Sequence, residues 1–521
     1  MKSVLLYVMV AFGAVPAAIA ASCNELPLQG VQEGVFDTEG KVCFVLPALN
    51  ENYVVATLKG ATGAQLLDQQ NHHLRTLLAA GPPDGEKSLL FSSPTGQVSS
   101  LVLYGNNGSK WQFDWQMTET QPLNRVRKLD PVSPTLQQLA KELAAGGTTD
   151  AFWQKQQRLG TPLVEPVDTS HKRVTFLWRA ARGNVFILGS PAGDHDPMFK
   201  LGNSDVWFRS YVVPADTRMQ YQLAPDVPKI DGNAREQRRA ILVSAQADPL
   251  NPTTMSIEND DKWNTSSLLD LKPSRYFTRD TMKQPIRHGS LTRHMFKSER
   301  LGNSREIILY RPKATTAASW TLFLFDGQIW QDKYHTANVI DGLIAHHQLP
   351  PINIVFIDSL DSQRRSKELP PNQAFADFMA LELLPWVSKK GIEIHNEKTI
   401  VAGASYGGLA SSWVALRYPT QFSHVLSLSG SYWWAPEGEK PGWLTRQYQQ
   451  SPHYPISFWI QAGLFENQGA DGGIWLNSQE LEHVLRDKNY KTSFHSWSSG
   501  HDYAAWIEAL VYGLKDFTSQ R

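Results

Sequence analysis

The period of the apolar positions changes several times along the chain. Over residues 21–120 the apolar runs are short and partly alternating: Gly34–Phe36, Val42–Leu46, Tyr53–Leu58, Ser88–Phe91, Ser99–Tyr104 and Trp111–Met117. Gly, Asn and Pro punctuate them, as at Asn106-Asn107-Gly108. That pattern predicts a small β-sandwich. In residues 121–165 the period lengthens. Ser133-Pro134 supplies a cap and first helical residue, Leu136, Leu139, Ala140 and Leu143 follow at helical spacing, and Gly146-Gly147 stops the run. A second helix runs from Thr149-Asp150 to Arg158 and halts at Gly160. These signals predict a helical connector. Strand-like runs return over 166–285, at Arg173–Arg179, Asn184–Leu188, Val206–Val213 and Met219–Leu223, and predict a second β-sandwich. From 286 to 521 strands and helices alternate. The strands are Ile307–Tyr310, Trp320–Phe325, Ile352–Ile357, Thr399–Ala402, His424–Ser429, Ile456–Gln461 and Lys491–Ser496. Between them fall helical runs at Ala337–His347, Phe375–Val387, Leu409–Tyr418 and Ser478–Lys488. Such alternation predicts a mostly parallel sheet flanked by helices, with its site at the carboxyl ends of the strands.

The first twenty residues belong to none of these units. Lys2, the apolar run Val4–Val15 and Ala18-Ile19-Ala20 have the order of a cleavable export signal, and the run is too short to span a bilayer. The chain is therefore expected to be exported, periplasmic in the first instance, with secretion or a lipid anchor at Cys23 as alternatives. Ala20-Ala21-Ser22-Cys23 is a poor lipobox, since no leucine stands three residues before the cysteine. Cys23 and Cys43 are the two cysteines of the sequence, and in an oxidising compartment they are expected to pair. With 50 basic and 50 acidic residues the formal net charge is zero, so no global field draws nucleic acid or an anionic membrane. His72-His73 lacks a third ligand nearby and reads as an exposed loop pair; no metal, phosphate or nucleotide signature appears elsewhere.

The chemistry gathers in the last third. Gly403-Ala404-Ser405-Tyr406-Gly407 follows a predicted strand and opens a predicted helix, the setting of a G-x-S-x-G nucleophile elbow. Glycine at 403 and 407 is expected to avoid collision within the turn that carries Ser405. A serine hydroxyl needs a base, and His501 follows the last strand, in Ser499-Gly500-His501-Asp502. His495 is a rival but lies within a strand. The acid is expected after the preceding strand, where Glu466 stands with Asp471 close by; a Ser–His dyad without an acid is the third option. Asp502 adjoins the histidine, a separation at which two side chains rarely face each other. The oxyanion hole is assigned to the backbone N–H of Tyr406 and, from Asp326-Gly327-Gln328-Ile329-Trp330 after an early strand, to that of Gln328.

With these residues in place, the chain resembles the enterochelin (enterobactin) esterase family. The likeness is carried by Phe152-Trp153, Gly160 to Glu165, Val174 to Arg179, Trp207 to Tyr211, Asp248-Pro249-Leu250-Asn251-Pro252, Leu301 to Arg305, Asp326 to Trp330, Asp358 to Asn372 and Gly403 to Gly407. It covers roughly 150–521 and leaves residues 21–130 unmatched. The resemblance implies an α/β-hydrolase catalytic domain behind a β-sandwich-like domain. It implies hydrolysis of the ester bonds of a catecholate siderophore, with Ser405 as nucleophile, His501 as base and Glu466 in the acid position, and no cofactor beyond the iron the substrate carries. It also implies ligand contacts from Arg364 and Arg365. A ferric tris-catecholate is a trianion with flat aromatic faces, which guanidinium groups can pair with and stack on. Trp330, Trp433 and Trp434 are candidates for further aromatic surface. Two alternatives stand beside this reading: an exported esterase acting on feruloyl, acetyl or other esters, and a siderophore-binding protein with a vestigial triad.

Overall fold

The computed structural model describes residues 23–519 apart from 28, 47–51, 69, 80, 82–84, 93–99, 190, 192, 194, 232, 256–260, 314–318 and 470–471. The expected export signal and Asp471 lie outside the described residues. Residues 24–119 fold as two facing sheets, of five and four strands. The strand Lys110–Glu119 shows why: Trp111, Phe113, Trp115 and Met117 are buried while Gln112, Asp114 and Gln116 between them are not. This alternation turns one face of the strand to the core. Opposite lie Phe44, Leu66, Leu101 and Leu103. A disulfide joins Cys23 to Cys43. Two strands here, Gly63–Leu67 and His73–Leu78, escape the sequence pattern, and His73 opens the second rather than sitting in a loop.

The second sandwich pairs two four-stranded sheets. One contains Leu163–Pro166, His171–Arg179 and Val206–Pro214; the other contains Val185–Leu188, Arg218–Pro225 and Ser267–Asp270. Its inner faces supply Val174, Phe176, Trp207, Met219, Tyr221 and Leu223 to one core. The connector helices Pro134–Ala144 and Asp150–Leu159 cover the outer face of the first sheet, where Leu136, Leu139, Phe152 and Trp153 meet Leu177, Val206 and Phe208. Two of the distinctive sequence motifs prove to be framework. Thr161 and Tyr221 donate to the Asp248 carboxylate at 2.7 and 2.8 Å, and Asn251 donates to the Tyr221 hydroxyl at 3.0 Å. These polar groups are buried and satisfied by one another.

The third unit is an eight-stranded sheet, labelled in chain order β1 (Gly289–Ser298), β2 (Asn303–Pro312), β3 (Trp320–Phe325), β4 (Ile352–Ile357), β5 (Thr399–Ala404), β6 (His424–Leu428), β7 (Ser457–Gly463) and β8 (Lys491–Trp497). Its spatial order is β1-β2-β4-β3-β5-β6-β7-β8. The first pairings, β1 with β2 and β2 with β4, are antiparallel, and the rest are parallel. Every residue of Ile352–Ile357 is buried, as a strand covered on both faces requires. Apolar clusters fill both sides of the sheet. This is an α/β-hydrolase fold behind two β-rich units. Among the described residues no helix is long and apolar enough to cross a membrane.

Candidate active site

Ser405 stands between β5 and the helix Tyr406–Arg417, with φ 60° and ψ −119°. A non-glycine residue holds that conformation only when its surroundings over-determine it. Here the Ser405 N–H donates to the Leu428 carbonyl at 2.9 Å, and the Ser405 carbonyl accepts from Ser431 N–H at 3.1 Å. A Cβ at Gly403 would lie 2.7 Å from the backbone of Gly407, so that glycine is required. The expectation for Gly407 is corrected. A Cβ there would meet its nearest atoms at an ordinary 3.6 Å, whereas Gly408 lacks room, with Ser427 Oγ 2.6 Å away.

Beyond β7 and β8 two loops meet. The Leu464 N–H donates to Trp497 O at 2.7 Å and the Phe465 N–H to Ser499 O at 3.1 Å, lacing the turn that carries Glu466 to the loop that carries His501. His501 Nδ1 and Glu466 Oε1 are 2.5 Å apart. Glu466 Oε2 accepts from Ser429 Oγ at 2.7 Å and from the Gly463 N–H at 2.5 Å. Trp506 Nε1 completes the chain by donating to Ser429 Oγ at 2.8 Å. The Glu466 side chain is 3 % exposed and the His501 side chain 41 %. A buried carboxylate bonded through both oxygens orients the ring, keeps Nδ1 protonated and leaves Nε2 as the acceptor. Ser405 Oγ is 3.4 Å from Ser431 Oγ; among the described residues no hydrogen bond joins it to His501. Ser429 and Ser431 lie on one short loop after β6, and through it the Ser405 turn and Glu466 are tied to the same backbone. Neither serine carries a sequence signal that singles it out; only their place after a strand that adjoins the elbow would point to them.

The two N–H groups expected to form an oxyanion hole sit on two turns. Tyr406 is the first residue of its helix, so its N–H has no intrahelical acceptor, and the same holds for Gln328 ahead of the short π-helical turn Ile329–Lys333. Gly327 is needed: a Cβ there would lie 2.4 Å from the Ile357 nitrogen on β4. Arg365, in the helix Ser362–Glu368, donates to both Asp326 carboxylate oxygens at 2.7 and 2.8 Å and to the Ala404 carbonyl at 3.3 Å. Its guanidinium therefore spans the two turns, so the side chain for which a ligand contact is expected is also held in a structural ion pair. Glu368, for its part, pairs with the buried Arg305 at 2.6 Å. Arg364 is exposed, and among the described residues its guanidinium has no ion pair.

The tryptophans separate sharply. Trp330 is 0 % exposed, packed edge-on against Tyr503 in the core, and is not available to a ligand. Trp434 is half-buried with its edge against Trp443. Trp433 is 39 % exposed and lies 6.2 Å from the Tyr406 ring, which itself lies 5.8 Å from the Arg365 guanidinium. The rival histidine, His495, stacks on Trp459 at 4.4 Å as a packed strand residue. Asp502 turns from its neighbour His501 to accept from the Ala504 N–H at 2.9 Å, starting the last helix. Burial pushes its carboxyl up to about 6. Among the described residues no group of three or more His, Cys, Asp or Glu is placed to hold a metal ion.

The chain matches the model of the enterochelin esterase N-terminal domain over residues 173–274 and an esterase family model over 298–517. It is 30% identical over 412 residues to the iron(III) enterobactin esterase of Dickeya dadantii, covering 70% of this chain and 92% of that one. To the iron(III) salmochelin esterase of Escherichia coli it is 26% identical over 405 residues, covering 72% and 96%. Among solved structures it resembles the enterobactin esterase of Shigella flexneri crystallised in the presence of enterobactin. The TM-score is 0.58 at 27% identity, over 71% of this chain and 97% of that one. The ferric enterobactin esterase of Salmonella typhimurium gives 0.59 at 26%, over 71% and 98%.

Proposed function

The chain belongs to the enterochelin esterase family, and from that premise we propose that it is an exported serine esterase that cleaves the ester bonds of a catecholate siderophore such as ferric enterobactin. The observation that carries the reading is the buried Glu466 carboxylate paired with the more open His501, beside a strained serine turn. In the proposed reaction Ser405 Oγ leaves Ser431 and passes its proton to His501 Nε2. The oxygen attacks the ester carbonyl carbon, and the developing oxyanion is held by the Tyr406 and Gln328 N–H groups. As the C–O bond breaks, His501 returns the proton to the leaving serine hydroxyl of the substrate, giving an acyl-enzyme. Water, deprotonated by the same imidazole, then releases the acid and restores Ser405. The Glu466 carboxylate stabilises the imidazolium.

Arg365 fixes the spacing of the two oxyanion donors by holding the Asp326 turn against Ala404. Arg364 is the guanidinium that meets the substrate's negative charge, and Trp433 with Tyr406 offers the aromatic surface for a catechol ring. Iron enters and leaves with the substrate. The export signal and the Cys23–Cys43 disulfide support an oxidising compartment, the periplasm.

Incubation with iron-loaded and iron-free enterobactin, read by mass spectrometry, should release dihydroxybenzoyl-serine units. Ser405→Ala should lower turnover by about 10⁵-fold or more while keeping binding. Turnover retained in that variant overturns the mechanism. Equal turnover of a feruloyl ester overturns the substrate class.

A further inference from the structure

The second sandwich reaches into the acid–base pair. Along the strand Arg218–Pro225 the inward residues are Met219, Tyr221 and Leu223, so the pleat turns Arg218 and Gln220 away from the sandwich core. Arg218 faces the His501 loop. Its backbone N–H donates to Ser498 O at 3.0 Å, and its guanidinium donates to Ala504 O at 2.7 Å. Those two carbonyls flank His501 on either side. The same guanidinium is held by Asp270 at 3.2 Å, from the neighbouring strand of the sandwich. Arg218 is 9 % exposed, so the clamp is shielded from water. The acid is gripped from the same side. Phe465, next to Glu466, is buried in the sandwich core with Phe176, Trp207 and Tyr221.

We propose that Arg218 is a positioning residue for the esterase reaction: its guanidinium, anchored by Asp270 and bonded to the Ala504 carbonyl, sets where His501 stands relative to Ser405, and so makes the second sandwich a working part of the catalytic centre. The inference rests on the Ser405–His501 reading of the reaction. Arg218 makes no contact with Ser405 or His501 side chains among the described residues; it acts on the loop. An imidazole displaced by an ångström costs proton transfer, not binding of the ester, and such a displacement is worth about 100-fold in rate.

The test uses the full chain. Arg218→Ala should lower kcat by about 100-fold with KM within about threefold of wild type, and should slow phosphonylation of Ser405 by a fluorophosphonate probe in parallel. Arg218→Lys, which keeps a donor for Ala504 O, should recover part or all of both rates; Arg218→Met, which keeps the bulk and drops the donor, serves if the alanine variant does not fold. A folded Arg218→Ala or Arg218→Met with unchanged kcat and probe rate overturns the inference, as does a loss confined to KM or an Arg218→Lys variant no faster than these. Ser405→Ala and His501→Ala run alongside keep the two claims apart. If those two retain activity, the underlying mechanism fails; if they are dead while the Arg218 variants are unimpaired, only the positioning role fails.

Discussion

The two sandwiches are built alike and used differently. Each has a core of alternating inward residues rich in large aromatics: Phe44, Phe113 and Trp115 in the first, Phe176, Trp207 and Tyr221 in the second. The first is stapled by a disulfide and meets its neighbours through Tyr53 and Leu90, which pack with the helix Ala234–Ser244 and the outer residues Phe186 and Leu188 of the second. Arg75 and Thr76 extend that contact to Val243 O and Asp261. The second shares its own core with Phe465 and sends Arg218 to the His501 loop. A sandwich that owns its core is an attached module. One whose core contains Phe465 cannot be loosened without moving the Glu466 turn.

Three substitutions put that contrast at risk. Phe465→Ala should have the largest effect, because it removes a ring from the second core and the brace beside Glu466. A loss of about 3 to 5 kcal/mol in denaturant unfolding is expected, together with a fall of about 10- to 100-fold in kcat of the folded enzyme. An unchanged kcat would mean that the shared core is only packing. Trp115→Ala should cost the first sandwich a similar 3 to 5 kcal/mol or about that, yet leave kcat and KM of the folded enzyme within about twofold. A larger kinetic change would show that the first sandwich is coupled to the site after all.

The smallest effect belongs to Asp502→Asn. Burial raises the Asp502 carboxyl to about 6, with the Gln220 and Ala504 backbone N–H groups pulling the other way. A carboxyl whose folded pKa lies above the ordinary value stabilises the fold below the normal aspartate range. That contribution is lost as pH rises through about 6. Wild type should therefore lose thermal stability between pH 4.5 and 7.5, by at most about 3 kcal/mol, and the asparagine variant should lack this part of the decline. Parallel pH profiles in the two proteins would remove the assignment.

The sequence was legible where one local signal suffices. The elbow at Ser405 announces itself because a tight strand-to-helix turn demands glycine at 403, and Trp320–Phe325 and Ile352–Ile357 are read to the residue because doubly covered strands are mostly apolar, here with Thr321 and Asn353 as the polar exceptions. It was illegible where the signal is weak or shared. The last helix, Tyr503–Ser519, buries most of its circumference, and the narrow stripe of less buried positions at Glu508, Tyr512, Lys515, Asp516 and Ser519 gives only a weak period. Trp330 and Trp433 are the same residue type in one sequence, and nothing local says that the first lies in the core and the second faces solvent.

What the chain determined alone is therefore the candidate groups and their order: a serine on a turn, a choice of acids after the seventh strand of the sheet, a histidine after the eighth. Chain order and turn chemistry are local, and local constraints are written in adjacent residues. What the tertiary structure decided is which polar groups are already spent. Arg365 on Asp326, Glu368 on Arg305 and Arg218 on the His501 loop are matches across 39, 63 and 286 residues of sequence. Burial forces each of these charges to find a partner, and only the folded chain shows which partner lies within reach.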